Sequence, residues 1–193
     1  MDITPRQLEI IKVTGKLLTT SGLSGLTIKN LAKEMHFTGS ALYRHFKCKE
    51  DVIVTMLKYL ANSIDERLSR LNLSSDPVEN FITLIREQFG FFNDNPYFVV
   101  AVFSDGLMEE SQLINENLLK LMIVKIKYLE PIIAAGQQKG IFITEITTDQ
   151  LVDIIMGAFK LHMFKWRTAN FQYDIKASGE IMIQSFLLLI KNN

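Results

Sequence analysis

The sequence predicts an all-α chain of about nine helices, with a small three-helix domain over residues 1–50 and a larger helical domain over 51–193. Three observations predict it. Apolar residues recur at helical spacing along most of the chain. Helix starts carry capping signatures. Gly and Pro number only 10 and 4, which leaves little turn chemistry for a many-stranded fold.

The elements follow in order. Thr4 is an N-cap, Pro5 suits the first helical position and Gln7 completes a capping box. Leu8, Ile11, Gly15 and Leu18 then share one face, and Gly22 ends the helix as a left-handed cap. A second helix starts after Thr27 and turns Ile28, Leu31, Ala32 and Met35 inward. A third is capped by Thr38 and buries Leu42 and Phe46. A fourth starts after Cys48, with Asp51 in its first turn. Asp76 with Pro77, and Asn95 with Pro96, open two more. A long helix over about 111–138 contains Pro131, which is expected to kink or split it. Residues 141–146 read as an extended link. Thr147 with Gln150 opens a helix to about Thr168, and the last covers about 174–191.

Hydrophobic residues make up 48% of the chain, including 13 Phe and 8 Met, and mean hydropathy is +0.15. That is more apolar surface than a monomer core needs, so a subunit interface or an internal cavity is expected. The single cysteine, Cys48, forms no internal disulfide and fits a reducing, cytoplasmic setting. No signal-peptide pattern and no run of 18 apolar residues is present, so no membrane partner is expected. Net charge is zero but uneven. Residues 1–50 hold 8 Lys/Arg against 4 Asp/Glu, and residues 51–193 hold 13 against 17. A basic head on an acidic body points the head at a polyanion.

The stretch from Thr27 to Phe46 reads as helix, turn, helix. Ala32 is small where two helices approach, and Phe37 is apolar where the turn packs down. Gly39, Ser40, Ala41, Tyr43, Arg44 and His45 lie on the outer side of the second helix. Residues 8–53 resemble the TetR family of bacterial transcriptional regulators without a gap. The resemblance rests on Gly22, Thr27, Ile28, Leu31 and Ala32, then Leu42, Tyr43, Phe46, Lys49 and Glu50. His36 departs from the family's turn Gly, and Ser40 replaces another frequent Gly at the front of the recognition helix. His is among the better-tolerated residues in a left-handed turn.

The resemblance implies a homodimer that reads an inverted-repeat operator in double-stranded DNA, with two recognition helices about 34 Å apart. It implies phosphate contacts from Thr27, Tyr43 and Lys49. The residues add Thr38, Gly39, Ser40 and Ala41 for close approach to base edges, Arg44 for guanine or phosphate, and Lys29 and His45 for the backbone. Between two lysines at a helix start, Cys48 also has a favoured thiolate, but no second cysteine resolves it.

In the body, the resemblance implies a ligand cavity followed by two dimerising helices. Cavity candidates are Phe89, Phe92, Phe103, Met122, Phe159, His162, Met163 and Trp166, whose aromatic and thioether groups suit a small, largely apolar effector. Interface candidates are Ile154, Ile155, Ala158, Leu161, Ile181, Met182, Ser185, Phe186 and Leu189, about half of them expected in the monomer core. No Ser/His/Asp set, metal-ligand spacing or phosphate-cradling Gly loop occurs, so no catalytic residue, metal or cofactor is expected. The reading is a ligand-released transcriptional repressor. The alternative is a helical small-molecule carrier with a vestigial helix-turn-helix.

Overall fold

The computed structural model describes residues 3–103 and 105–192. Ten helices are described: α1 (Pro5–Gly25), α2 (Ile28–Glu34), α3 (Gly39–Tyr43), α4 (Lys49–Ser69), α5 (Pro77–Asp94), α6 (Tyr97–Phe103), α7 (Asp105–Met108), α8 (Gln112–Gln138), α9 (Thr148–Thr168) and α10 (Ile175–Ile190). The all-α reading holds. The expected count of about nine is exceeded because the stretch after Pro96 forms two short helices.

The caps behave as their chemistry dictates. Thr4 and Gln7 form a reciprocal capping box on α1, and Thr147 and Gln150 form another on α9. The Thr27 and Thr38 hydroxyls accept from Asn30 N–H and Ala41 N–H at 3.1 and 3.3 Å. The Asp76 carboxylate accepts from Val78 N–H at 2.8 Å. Gly22 has φ 65° and ψ −171°, a combination confined essentially to glycine, and it breaks α1 one turn before its last residue.

Packing groups the described residues into two units. One unit takes residues up to Ser63 together with Tyr97–Leu121. The other takes Ile64–Pro96 and the chain from Met122 on. Helices α4 and α8 each contribute to both. In the first unit, α6 lies on α1. Thr19 Oγ1 donates to Tyr97 O at 3.3 Å, and Phe98 is buried against the Tyr59 ring, centroids 6.2 Å apart.

In the second unit, α5 lies along α10. Phe81, Phe89 and Phe92 are almost fully buried from α5, each stabilising by about 1.5–3 kcal/mol relative to exposure. Arg86 on α5 donates to both Glu180 oxygens on α10 at 2.5 and 2.7 Å. Arg67 at the end of α4 pairs with Glu87 and Asp94.

Pro131 does not split α8. The hydrogen bond it forfeits would end on the Lys127 carbonyl, one turn back, and both residues are exposed, so water can serve that carbonyl. After α8 the expected extended link is broken up: residues 141 and 144–146 lie in bends, and only Phe142 pairs as a strand would. Phe142 forms an isolated antiparallel bridge with Lys191, and Ile143 N–H donates to Ile190 O at 2.8 Å. Fully buried Phe142 lies on Gly136, where an added Cβ would come 2.0 Å from its ring. Gly136→Ala should therefore destabilise the protein by about 1–3 kcal/mol. Urea denaturation would show it, with part of the loss recovered in Gly136→Ala with Phe142→Leu.

Candidate functional site

The head is organised by the turn between α2 and α3. His36 N–H donates to Lys33 O at 3.1 Å and Phe37 N–H to Ala32 O at 2.8 Å. This paired ending needs a left-handed residue just past the cap, and His36 supplies it at φ 55°. The Arg6 guanidinium of α1 lies 5.0 Å from the Phe37 ring centroid. Gln7 Nε2 donates to His45 O at 3.4 Å. The start of α1 thus holds both the turn and the end of the recognition helix.

Burial then sets which side chains face out. Leu31, Ala32, Leu42 and Phe46 are buried. Thr27, Lys29, Thr38, Gly39, Ser40, Tyr43 and Arg44 are exposed, while Ala41 and His45 are half-buried. Tyr43 is 58% exposed despite its ring, so it does not serve as cover for the small core. Lys49 differs from the other predicted DNA residues by its ion pair. It is half-buried, and its Nζ lies 2.8 Å from the Glu110 carboxylate. An acidic side chain sits where the sequence expected a phosphate.

The second unit gathers part of the predicted cavity set. The Phe89 and Phe159 ring centroids are 4.8 Å apart, Phe92 and Phe159 6.0 Å, and Phe89 and His162 6.1 Å. His162 Nδ1 is 2.9 Å from Ala158 O. Met163 and Trp166 are buried. The Trp166 indole donates to Tyr173 O at 2.9 Å and its ring meets Phe171 edge-on, so it is committed to closing the end of α9. One assignment needs correction. Met122 is 47% exposed, because it lies one helical step, about 100°, from buried Leu121. Phe103 falls in the first unit.

Two polar residues that the sequence reading passed over lie in this apolar interior. Lys125 and Gln88 are each 2% exposed. Lys125 Nζ is 4.8 Å from the Phe92 ring centroid and 4.7 Å from that of Phe159. Burial pulls its pKa down to about 7. Gln88 has no hydrogen-bond partner for either amide atom among the described residues. Both line a cavity of about 10 Å³ with Ile64, Arg67, Leu68, Glu87, Phe91 and Phe92, room for one water molecule. Helical spacing carried the signal. Lys125 continues the buried row Leu118, Leu121, Leu129 and Ile132, and Gln88 the row Phe81, Ile85 and Phe92.

The last two helices show an apolar outer face. Ile154, Leu161, Ile181 and Leu189 are 50%, 49%, 70% and 71% exposed. Ser185 is exposed and Ala158 half-buried. Phe164 and Leu188 join them at 55% and 86%, although the sequence reading did not single them out. Ile155, Met182 and Phe186 are instead core residues of the chain. One helical step turns a side chain by about 100°, which carries Ile155 and Met182 inward from their exposed neighbours.

A helix-turn-helix head with an exposed recognition helix, joined to an all-helical body, defines the architecture of a DNA-reading regulator. The family model for bacterial regulatory proteins of the tetR family matches residues 10–56, and that for the C-terminal region of YsiA-like protein matches residues 56–191. The chain belongs to the tetR family of bacterial regulatory proteins, with a YsiA-like C-terminal region. The transcriptional repressor NicS of Pseudomonas putida is 25% identical over 139 residues, which covers 71% of this chain and 66% of NicS, just under two thirds of its length. The fatty acid degradation regulator FadR of Bacillus halodurans superposes with a TM-score of 0.86 at 18% identity, covering 97% of both chains. FadR of Bacillus subtilis, solved with stearoyl-CoA, gives 0.81 at 16%, covering 93% of this chain and 97% of that one. At these identities the structural likeness speaks for the fold.

Two outcomes follow. His36→Val should destabilise the head by about 1–2 kcal/mol, because a β-branched residue resists positive φ, while His36→Gly should not; thermal denaturation separates them. Lys125→Met should stabilise the protein. The folded pKa of Lys125 is about 7, below the ordinary 10.5, so burial penalises the charged form. That penalty is full below pH 7 and fades as pH rises towards 10.5. The stability difference between variant and wild type should shrink by on the order of 2–3 kcal/mol between pH 7 and 9, measurable by urea denaturation at both values.

Proposed function

We propose that this protein is a sequence-specific, DNA-binding transcriptional regulator. It works as a homodimer, and as a repressor released from its operator by a small, largely apolar ligand. The observation that carries the reading is the outward row Thr38, Gly39, Ser40, Tyr43 and Arg44, backed by buried Leu42 and Phe46. Small residues at the front of the helix allow close approach to base edges. Thr27, Lys29, Tyr43, His45 and Lys49 supply the phosphate contacts that set register. Residues 1–50 form the reading head and 51–193 the responding body.

Two heads are needed to read an inverted repeat, and the outer faces of α9 and α10 suit an isologous contact. Ile154, Leu161, Phe164, Ile181, Leu188 and Leu189 form that face. The aromatic interior around Phe89, Phe92, Phe159, His162 and Met163 receives the ligand. The stearoyl-CoA bound to Bacillus subtilis FadR supports an apolar ligand in this fold. The ligand favours a body conformation in which the heads no longer match the operator spacing. The protein acts in the cytoplasm and catalyses no reaction.

Selection from random duplex DNA at near-physiological salt should recover an inverted repeat with half-sites about one turn or slightly more apart. No enriched motif from folded, dimeric protein would overturn the DNA-reading function and leave a ligand carrier. On the recovered duplex, Tyr43→Ala with Lys49→Ala should abolish specific binding in a gel shift. Glu110→Gln should act oppositely. It frees Lys49 from its ion pair, so affinity should rise about two- to fivefold at low salt, an effect absent in Lys49→Ala.

A further inference from the structure

The apolar body contains a polar pair that its packing does not require. Gln88 projects from the aromatic face of α5 and Lys125 from the buried row of α8. Both reach one cavity whose other apolar walls are Ile64, Leu68, Phe91 and Phe92. Gln88 is 2% exposed with both amide atoms unpartnered. A buried amide in that state is destabilising, and it offers a donor and an acceptor at one point. Lys125 Nζ lies 4.8 and 4.7 Å from the Phe92 and Phe159 ring centroids, and its side chain lines the same cavity as Gln88. Apart from Gln88 and Lys125, the polar groups on this cavity are Arg67 and Glu87, which pair with each other.

We propose that the effector is an apolar molecule ending in one carboxylate, with the carboxylate held by Lys125 Nζ and the Gln88 amide N–H and the apolar part lying against Phe89, Phe92 and Phe159. This deepens the ligand-responsive reading and rests on it. A carboxylate accepts from both groups at once, and a charge-assisted bond in a low-dielectric interior is stronger than a neutral one. An alcohol of the same length meets Gln88 equally well but gives Lys125 no counter-charge. The cavity admits only about one water in this conformation, so the acid enters by displacing Phe side chains and opens the body as it binds.

Titration calorimetry on the full-length protein at pH 7 tests this with two matched pairs: decanoate against decanol, and naphthoate against naphthylmethanol. In at least one pair the acid should bind wild type at least about tenfold more tightly than its alcohol. Lys125→Met should erase that preference. Gln88→Leu, checked for folding by circular dichroism, should weaken the acid about five- to tenfold. Equal affinities for acid and alcohol in wild type, a preference that survives Lys125→Met, or no binding by either acid would overturn the proposal and leave the pair a site for one water. An acid that binds with the expected preference yet leaves binding to the selected duplex unchanged supports the carboxylate site and counts against ligand-responsive release. The two failures are therefore distinguishable.

Discussion

Phe81, Phe89 and Phe92 give α5 one aromatic face, and burying that face sets the terms for the rest of the second unit. Gly179 on α10 must lack a side chain, because an added Cβ would come 2.6 Å from the Phe89 ring. Phe159 of α9 then meets both Phe89 and Phe92. The Arg86–Glu180 pair fixes the pitch of α5 on α10 from the exposed side. Being exposed, that pair adds register more than stability. The inner faces of α9 and α10 are consumed by this core. Their outer faces, from Ile154 to Leu189, therefore remain apolar and available for a second subunit.

The head is governed by a smaller constraint of the same kind. Leu31, Ala32, Leu42 and Phe46 must be buried by two helices of seven and five residues. Helices this short are unstable alone, so their geometry depends on the turn and on α1. The His36 turn, the Arg6–Phe37 contact and the Gln7–His45 bond fix the recognition helix without using any of its outward side chains. The outward side chains of the recognition helix are left free of structural duties, apart from Thr38, whose hydroxyl caps it.

Local rules were legible in the sequence. The Thr4, Thr27, Thr38, Asp76 and Thr147 caps form because they depend only on neighbours three residues away or fewer. The left-handed positions at Gly22 and His36 were legible for the same reason. Faces were legible less sharply. Ile154 and Ile155 are adjacent, yet one is exposed and the other is core, and periodicity alone assigns both to one stripe. The continuity of α8 through Pro131 depends on which side of the helix meets solvent, a tertiary fact. Composition also misled in one respect. It drew attention to Phe, Met and His as cavity formers, although the polar breaks in the apolar rows at Gln88 and Lys125 were equally visible at helical spacing.

Those breaks bear on how such a body responds to a ligand. A purely apolar molecule entering an already packed aromatic interior exchanges ring–ring contacts for ring–ligand contacts, and its net gain over the closed state is small. A ligand shifts a conformational equilibrium only by its difference in affinity for the two states. The unpartnered Gln88 amide and the buried Lys125 ammonium supply such a difference. In the closed body Gln88 lacks a partner and desolvation lowers the Lys125 pKa to about 7; with a carboxylate bound to both, Gln88 gains an acceptor and Lys125 is favoured in its charged form. The closed state is penalised and the liganded state relieved at the same atoms. An apolar core of equal volume would be more stable and would have no comparable term with which to switch.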